Sequence, residues 1–132
     1  MMQNARTTPA SGGHELSLRQ LLSVPYRIEA ETIERTPGLW VRRAAYPELT
    51  NCIAEGPTIV QTLEDLERRR IEWIVAAVRA GTLPPLPRRP LIDCDPEGLL
   101  HRFGLSEDLV PLLDYAASRL IDANAKRDLT EE

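Results

Sequence analysis

Two cysteines, two histidines and one short run of carboxylates are the side chains of this 132-residue chain whose chemistry would first be sought. Cys52 and Cys94 stand far apart, with no Cys-x-x-Cys spacing, so the sequence implies neither a zinc site nor a redox dithiol, and buried packing is the expected role. His14 falls in a polar N-terminal stretch and His101 precedes Arg102 on a short helical pattern, neither with a nucleophile or acid beside it. Asp93, Asp95 and Glu97 space like ligands of a cation loop, but an EF-hand also needs a central Gly and a distal Glu at set intervals, and these are absent. Asp95 followed by Pro96 reads as a helix cap. With no glycine-rich phosphate loop and no Gly-x-Ser-x-Gly elbow, no catalytic, cofactor or metal-binding set emerges, and an enzyme is the less favoured class.

The elements that would position any functional group are better marked. Val24, Tyr26, Ile28 and Ala30 alternate with Arg27, Glu29 and Glu31, the period of a half-buried strand. Thr36, Pro37 and Gly38 break that period as turn residues do, and Leu39 to Tyr46 resumes it, so a hairpin is expected. Pro47 has no N–H for a ladder and closes the second strand, while Cys52 to Glu55 suits a short third strand ended by Gly56 and Pro57. Thr58 and Gln61 have the spacing of a capping box and open a long helix. Its apolar side runs through Ile59, Leu63, Leu66, Ile74, Ala77 and Val78, and Gly81 with Pro84 and Pro85 supplies the stop. Arg70 sits within that side, and two placements suit it: a stem lying on the core edge with its head in water, or an ion pair across an interface. The run Arg68, Arg69, Arg70 spans all sides of a helix, so it is no basic stripe for nucleic acid, and it pairs at helical spacing with Glu64, Glu67 and Glu72.

A hairpin ending in Tyr46-Pro47-Glu48-Leu49, then Asn51-Cys52, then Glu55-Gly56-Pro57-Thr58 opening a helix that carries Trp73, resembles the HicB family of antitoxins. Members show an aromatic-Pro-Asp-Leu-Pro-Gly-Cys turn and a Gly-Asp-Thr helix start. Tyr46, Pro47, Leu49, Cys52, Gly56, Thr58 and Trp73 match, and Glu48 stands conservatively for Asp. Thr50 and Asn51 replace the usual Pro and Gly, Pro57 replaces Asp, and Arg69 and Arg70 stand where small or apolar residues are usual. The resemblance covers about residues 24–87. It implies an α+β domain related to a degraded ribonuclease H-like fold: a small antiparallel sheet of three to four strands packed on one long helix, without catalytic carboxylates. It implies further a role in binding a HicA-type RNA-cutting toxin, assembly as a homodimer or higher oligomer, and in many members a DNA-binding C-terminal domain. A strand from Arg89 to Cys94 would suit that pattern.

Around this domain, residues 1–15 are expected as a disordered tail, with a short helix from Ser17 to Leu22 capped by Ser17. The proline-rich stretch 83–90 favours an extended connector and divides a HicB-like domain (16–95) from a helical C-terminal extension (96–132). Asp/Glu and Lys/Arg balance at 12 each over residues 1–95, whereas 96–132 hold 8 against 4, so the whole formal charge of −4 sits in the extension. A helix from Asp95 to about Phe103, stopped by Gly104, precedes a longer one capped by Ser106 or Asp108, with Leu112, Leu113, Ala116, Ala117, Leu120 and Ile121 on one side. That side must pack on the chain's own core, on a twin, or on a partner. Nucleic-acid binding rests on basic residues, so an acidic extension does not favour DNA and suits a basic protein partner. No apolar run is long enough to span a bilayer, and a cytoplasmic location is expected. The resulting expectation is a non-catalytic protein-binding module, either a toxin-neutralising antitoxin or a solitary homologue acting as an adaptor, with partner contacts at Arg69, Arg70, Trp73, Leu113 and Leu120. The alternatives are an oligomeric DNA-binding regulator and a ribonuclease H-like enzyme.

Overall fold

Pro37 and Gly38 set the geometry of the sheet. In the computed structural model, which describes residues 15–120, Gly38 has φ 84°, the conformation that position i+2 of a Pro-Gly type II turn requires. Two strands run back from this turn, β1 (Glu29–Thr36) and β2 (Leu39–Ala45), paired antiparallel from Thr36↔Leu39 to Glu29↔Ala45. A type II turn twists against the natural twist of a hairpin, and a bulge between Glu34 and Thr36 absorbs the mismatch. β3 (Ile53–Gly56) pairs antiparallel with β2, giving the order β1-β2-β3. A helix, α2, follows over Ile59–Arg79. The architecture is thus α+β, with a three-stranded antiparallel sheet and a long helix, and with further helices after it.

The expected first strand, Val24–Ala30, is displaced. Val24 and Tyr26 are buried, but the ladder starts at Glu29, and Ile28 is 49% exposed. Alternation there reports burial of an extended segment, whereas the ladder's extent is set by counting back from the turn. Cys52–Glu55 is likewise shifted by one residue, to Ile53–Gly56.

The chain packs as two units, one of residues Tyr26–Trp73 and the other of the residues up to Pro25 together with those from Ile74 onward, so α2 supplies residues to both. These boundaries differ from a division near residue 95. In the first unit, Ala44, Tyr46 and Ala54 on one face of the sheet are buried, as are Leu49, Cys52, Leu66 and Ile71. Gly56 lies against α2: a Cβ there would sit 2.8 Å from the Thr62 hydroxyl, which is fully buried and donates to the Thr58 carbonyl at 2.7 Å. The start of α2 is capped as its sequence requires, with the Thr58 hydroxyl accepting from the Gln61 N–H at 3.2 Å.

In the second unit, α1 (Leu18–Leu21) carries a complete capping box between Ser17 and Gln20 and buries Leu18, Leu21 and Leu22. The end of α2 is closed by Gly81 at φ 88°, with Thr82 N–H donating to Ala77 O and Gly81 N–H to Val78 O, the two bonds of a Schellman motif. α3 (Pro96–Arg102) is capped by the Asp95 carboxylate and ended by Gly104 at φ 72°. The long second helix expected beyond it is absent. A short α4 (Ser106–Leu109) tightens into a 3-10 turn at Val110–Leu112, and helix resumes only at residues 117–120. Neither Ser106 nor Asp108 caps; Leu105 holds that position without a side-chain bond. Because α4 starts at Ser106, Pro111 falls beyond the first turn, where its missing N–H and its ring prevent an α-helix from continuing. The backbone that follows is used otherwise: Leu18 N–H donates to Tyr115 O (3.1 Å), Arg19 N–H to Leu113 O (2.8 Å) and Ala117 N–H to Leu16 O (2.9 Å). Leu109, Leu113 and Ala117 are buried in this arrangement. Arg89–Cys94 is not a strand either; its Leu91 N–H makes one bond, to Ser23 O, beside an Arg88–Pro25 carbonyl contact. The expected N-terminal tail up to His14, and Ile121 with the residues after it, lie outside the described residues.

Candidate functional site

The segment between β2 and β3 closes on itself. Leu49 N–H donates to Tyr46 O (2.9 Å), Cys52 N–H to Leu49 O (3.1 Å) and Tyr46 N–H to Cys52 O (3.0 Å), and Leu49 is driven inward to 1% exposure. Asn51 has φ 63°, which a side chain other than Gly tolerates best when it is Asn or Asp. The Trp73 indole N–H, from α2, donates to the Thr50 carbonyl at 2.9 Å and holds the turn against the helix. The Arg27 backbone N–H donates to the Glu48 carboxylate at 2.9 Å on the other side.

The buried face of α2 within this unit runs through Thr62, Leu66, Arg70 and Ile71, whereas Leu63 is 38% exposed and Val60 67%. Arg70 is only 6% exposed, so its head does not lie in water, and it makes the pairing with Glu67 at helical spacing that the sequence implied. Its Nε and Nη2 donate to the two oxygens of Glu67, each at 3.0 Å, a bidentate pair one turn apart. Tyr46 adds its hydroxyl, donating to Glu67 Oε1 at 2.7 Å, and the Tyr26 ring meets Tyr46 edge to face with centroids 6.2 Å apart. Burial works against the Arg70 charge, but the Glu67 carboxylate outweighs it and raises the guanidinium further above its ordinary range. Burial pushes the Tyr26 phenol up to about 12; burial and then the neighbouring Glu67 charge push Tyr46 up as well. Cys52 is buried, and burial raises its thiol above the ordinary range. The network joins the 46–52 turn to the helix.

Of the five residues expected to meet a partner, Arg69, Arg70 and Trp73 share α2, while Leu113 and Leu120 belong to the other unit. Arg70 and Leu113 are buried within the chain, and Leu120 and Trp73 are half-buried. Arg69 alone of them is well exposed; it pairs with Asp65 at 2.9 Å, and Arg68 pairs with Glu72. Sequence reasoning paired the Arg run with Glu67 at helical spacing but missed that the Arg70–Glu67 pair is buried and joined by the Tyr46 hydroxyl. It also missed how far the hairpin stands in solvent. Seven of the eight residues of β1 are exposed, and Leu39 and Trp40 at the start of β2 are 54% and 58% exposed. Among the described residues no three His, Cys, Asp or Glu side chains gather as a metal site, and no helix is long and apolar enough to cross a membrane. No family model, curated protein or solved structure matches the chain.

Proposed function

We propose that this chain is a non-catalytic, HicB-like protein-binding module, a toxin-neutralising antitoxin or a solitary homologue that acts as an adaptor. What supports the reading is the use made of the residues that carry the resemblance. Leu49 and Cys52 pack inward, Asn51 takes the left-handed backbone of a position where glycine is usual, Gly56 admits Thr62, and Trp73 clasps the turn. Every one of them builds scaffold, and beside them the Glu67 carboxylate accepts from both Tyr46 and Arg70. A scaffold of this kind acts through its surface, and the surface it leaves open is the hairpin.

The test is capture of partners by the full chain from its native host, identified by mass spectrometry, followed by growth rescue when the captured protein is co-expressed with this chain. A small RNA-cutting enzyme, neutralised on co-expression, is the result expected of an antitoxin; a stable complex without neutralisation is that of an adaptor. RNA cleavage by the purified chain, lost in Cys52→Ala, would overturn the binding reading.

A further inference from the structure

The outer edge of β1 pairs with no other strand among the described residues. In the order β1-β2-β3 the strand pairs with β2 only, so along its other side the backbone N–H and C=O groups meet no strand among the described residues. At eight residues it is the longest strand, and seven of the eight are exposed, so neither face of it is covered. A long exposed edge is a pairing template that proteins otherwise shorten, cover or block with charge. The bulge affects only the Glu34–Thr36 end; Glu29 to Glu34 pair one for one with β2.

The side chains along that edge select the occupant. Glu29, Glu31 and Ile33 lie on one face, opposite Ala45, Arg43 and Val41 of β2, with the carboxylates of Glu29 and Glu31 62% and 61% exposed. Each pairs with one exposed in-chain cation, Glu29 with Arg27 at 3.2 Å and Glu31 loosely with Arg43 at 3.9 Å, which leaves most of each carboxylate open to a second one. The strand holds three Glu against one Arg, and that Arg35 is engaged by Glu55. A second copy paired here would double the negative excess along one ladder, which works against self-association. Cross-strand pairing rewards opposite charge and apolar matching directly across the ladder.

We infer that the β1 edge receives an extended, basic segment of a partner protein as a fourth, antiparallel strand, with the pattern apolar-x-basic-x-basic. In this register the apolar residue lies across from Ile33, and the two basic residues lie across from Glu31 and Glu29. Main-chain bonds supply the affinity and alternate side chains the selectivity, the mode by which sheets take up peptides. This deepens, and rests on, the binding-module reading.

The probe is a synthetic, end-blocked peptide carrying Val-Thr-Lys-Thr-Arg between Ser residues, titrated into the isotope-labelled full chain and followed by backbone amide NMR. The control peptide carries Glu for Lys and Arg. The expected result is shifts concentrated on Glu29 to Glu34 with the basic peptide alone, weakened by salt. Affinity should fall about tenfold in Glu29→Lys/Glu31→Lys, and that variant should take the acidic peptide instead. The swap separates lost recognition from lost folding. Three results would each overturn the inference: no shifts at millimolar peptide, protection from exchange in the free chain of the outward-facing β1 amides, those not bonded to β2, or a dimer that Glu31→Lys disrupts. A partner captured by the chain that binds Glu29→Lys/Glu31→Lys undiminished would sink the edge assignment and leave the binding-module reading standing.

Discussion

Removing Glu67 alone should damage this protein more than removing Glu67 and Arg70 together. Arg70 is 6% exposed, and its guanidinium donates to both oxygens of the Glu67 carboxylate, at 3.0 Å each. Glu67→Leu therefore leaves a buried cation whose chief partner is gone, and strips the Tyr46 hydroxyl of its 2.7 Å acceptor. Breaking one side of a buried pair costs about 3–5 kcal/mol. The orphaned phenol adds about 1 kcal/mol. For a chain of this size a loss of about 3 kcal/mol lowers the melting temperature by roughly 10 °C. Glu67→Leu/Arg70→Met replaces the pair by apolar groups of similar volume, and its net cost should be about 1 kcal/mol or less, because the desolvation of both charges is also removed. The assay is urea unfolding followed by Trp fluorescence for the wild type, both single variants and the double, read as a mutant cycle. A coupling of at least about 2 kcal/mol is expected from this argument. Additive single effects, or a double variant as unstable as Glu67→Leu, would refute it by showing that the pair is not buried as a unit.

Three further outcomes follow from the same region. Gly56→Ala places a methyl 2.8 Å from the fixed Thr62 hydroxyl and should cost about 1–3 kcal/mol in chemical denaturation, part of it regained in Gly56→Ala/Thr62→Ala. At Asn51, with φ 63°, Gly should be neutral or slightly stabilising, whereas Val should destabilise by about 1–2 kcal/mol; equal stability of the two variants would contradict the left-handed backbone. The phenols of Tyr26 and Tyr46 ionise at higher pH in the folded chain than in the unfolded one, so the stability they contribute is intact below pH 10, the unfolded value, and is lost as pH rises toward 12 and beyond. Denaturant midpoints measured from pH 8 to 12 should fall only above about pH 10, with a shallower fall in Tyr26→Phe; a decline beginning near pH 8 would argue against this cause.

How far the chain could be read in advance differs sharply from element to element. Most caps and stops were legible, because each depends on one or two neighbouring residues: Ser17, Thr58 with Gln61, Asp95 before Pro96, Gly81 and Gly104 at helix ends; the cap expected at Ser106 or Asp108 was the exception. Where an outcome depended on distant backbone, local pattern failed. Val24 and Tyr26 alternate as a strand would, yet the ladder begins at Glu29, since its length is counted from the Pro37-Gly38 turn and not from the hydrophobic period. The residues after Pro111 have the composition of a helix, but residues 113–117 give their backbone groups to Leu16, Leu18 and Arg19, nearly a hundred positions earlier.

The candidate site divides in the same way. Sequence alone marked the strand end at Pro47 and the cap at Thr58, because close-range backbone geometry leaves few residue types able to occupy those places, whereas the Trp73 bond to the Thr50 carbonyl joins residues 23 apart and was not read from it. Only the tertiary structure decided that Arg70 is buried against Glu67 and Tyr46, that Leu113 is enclosed, and that β1 stands open along one edge. The physical reason is that burial and pairing are properties of what packs alongside. A charge on a helix face or a Glu on a strand carries no local sign of whether its neighbour will be water, a partner on the next turn, or the free edge of a sheet.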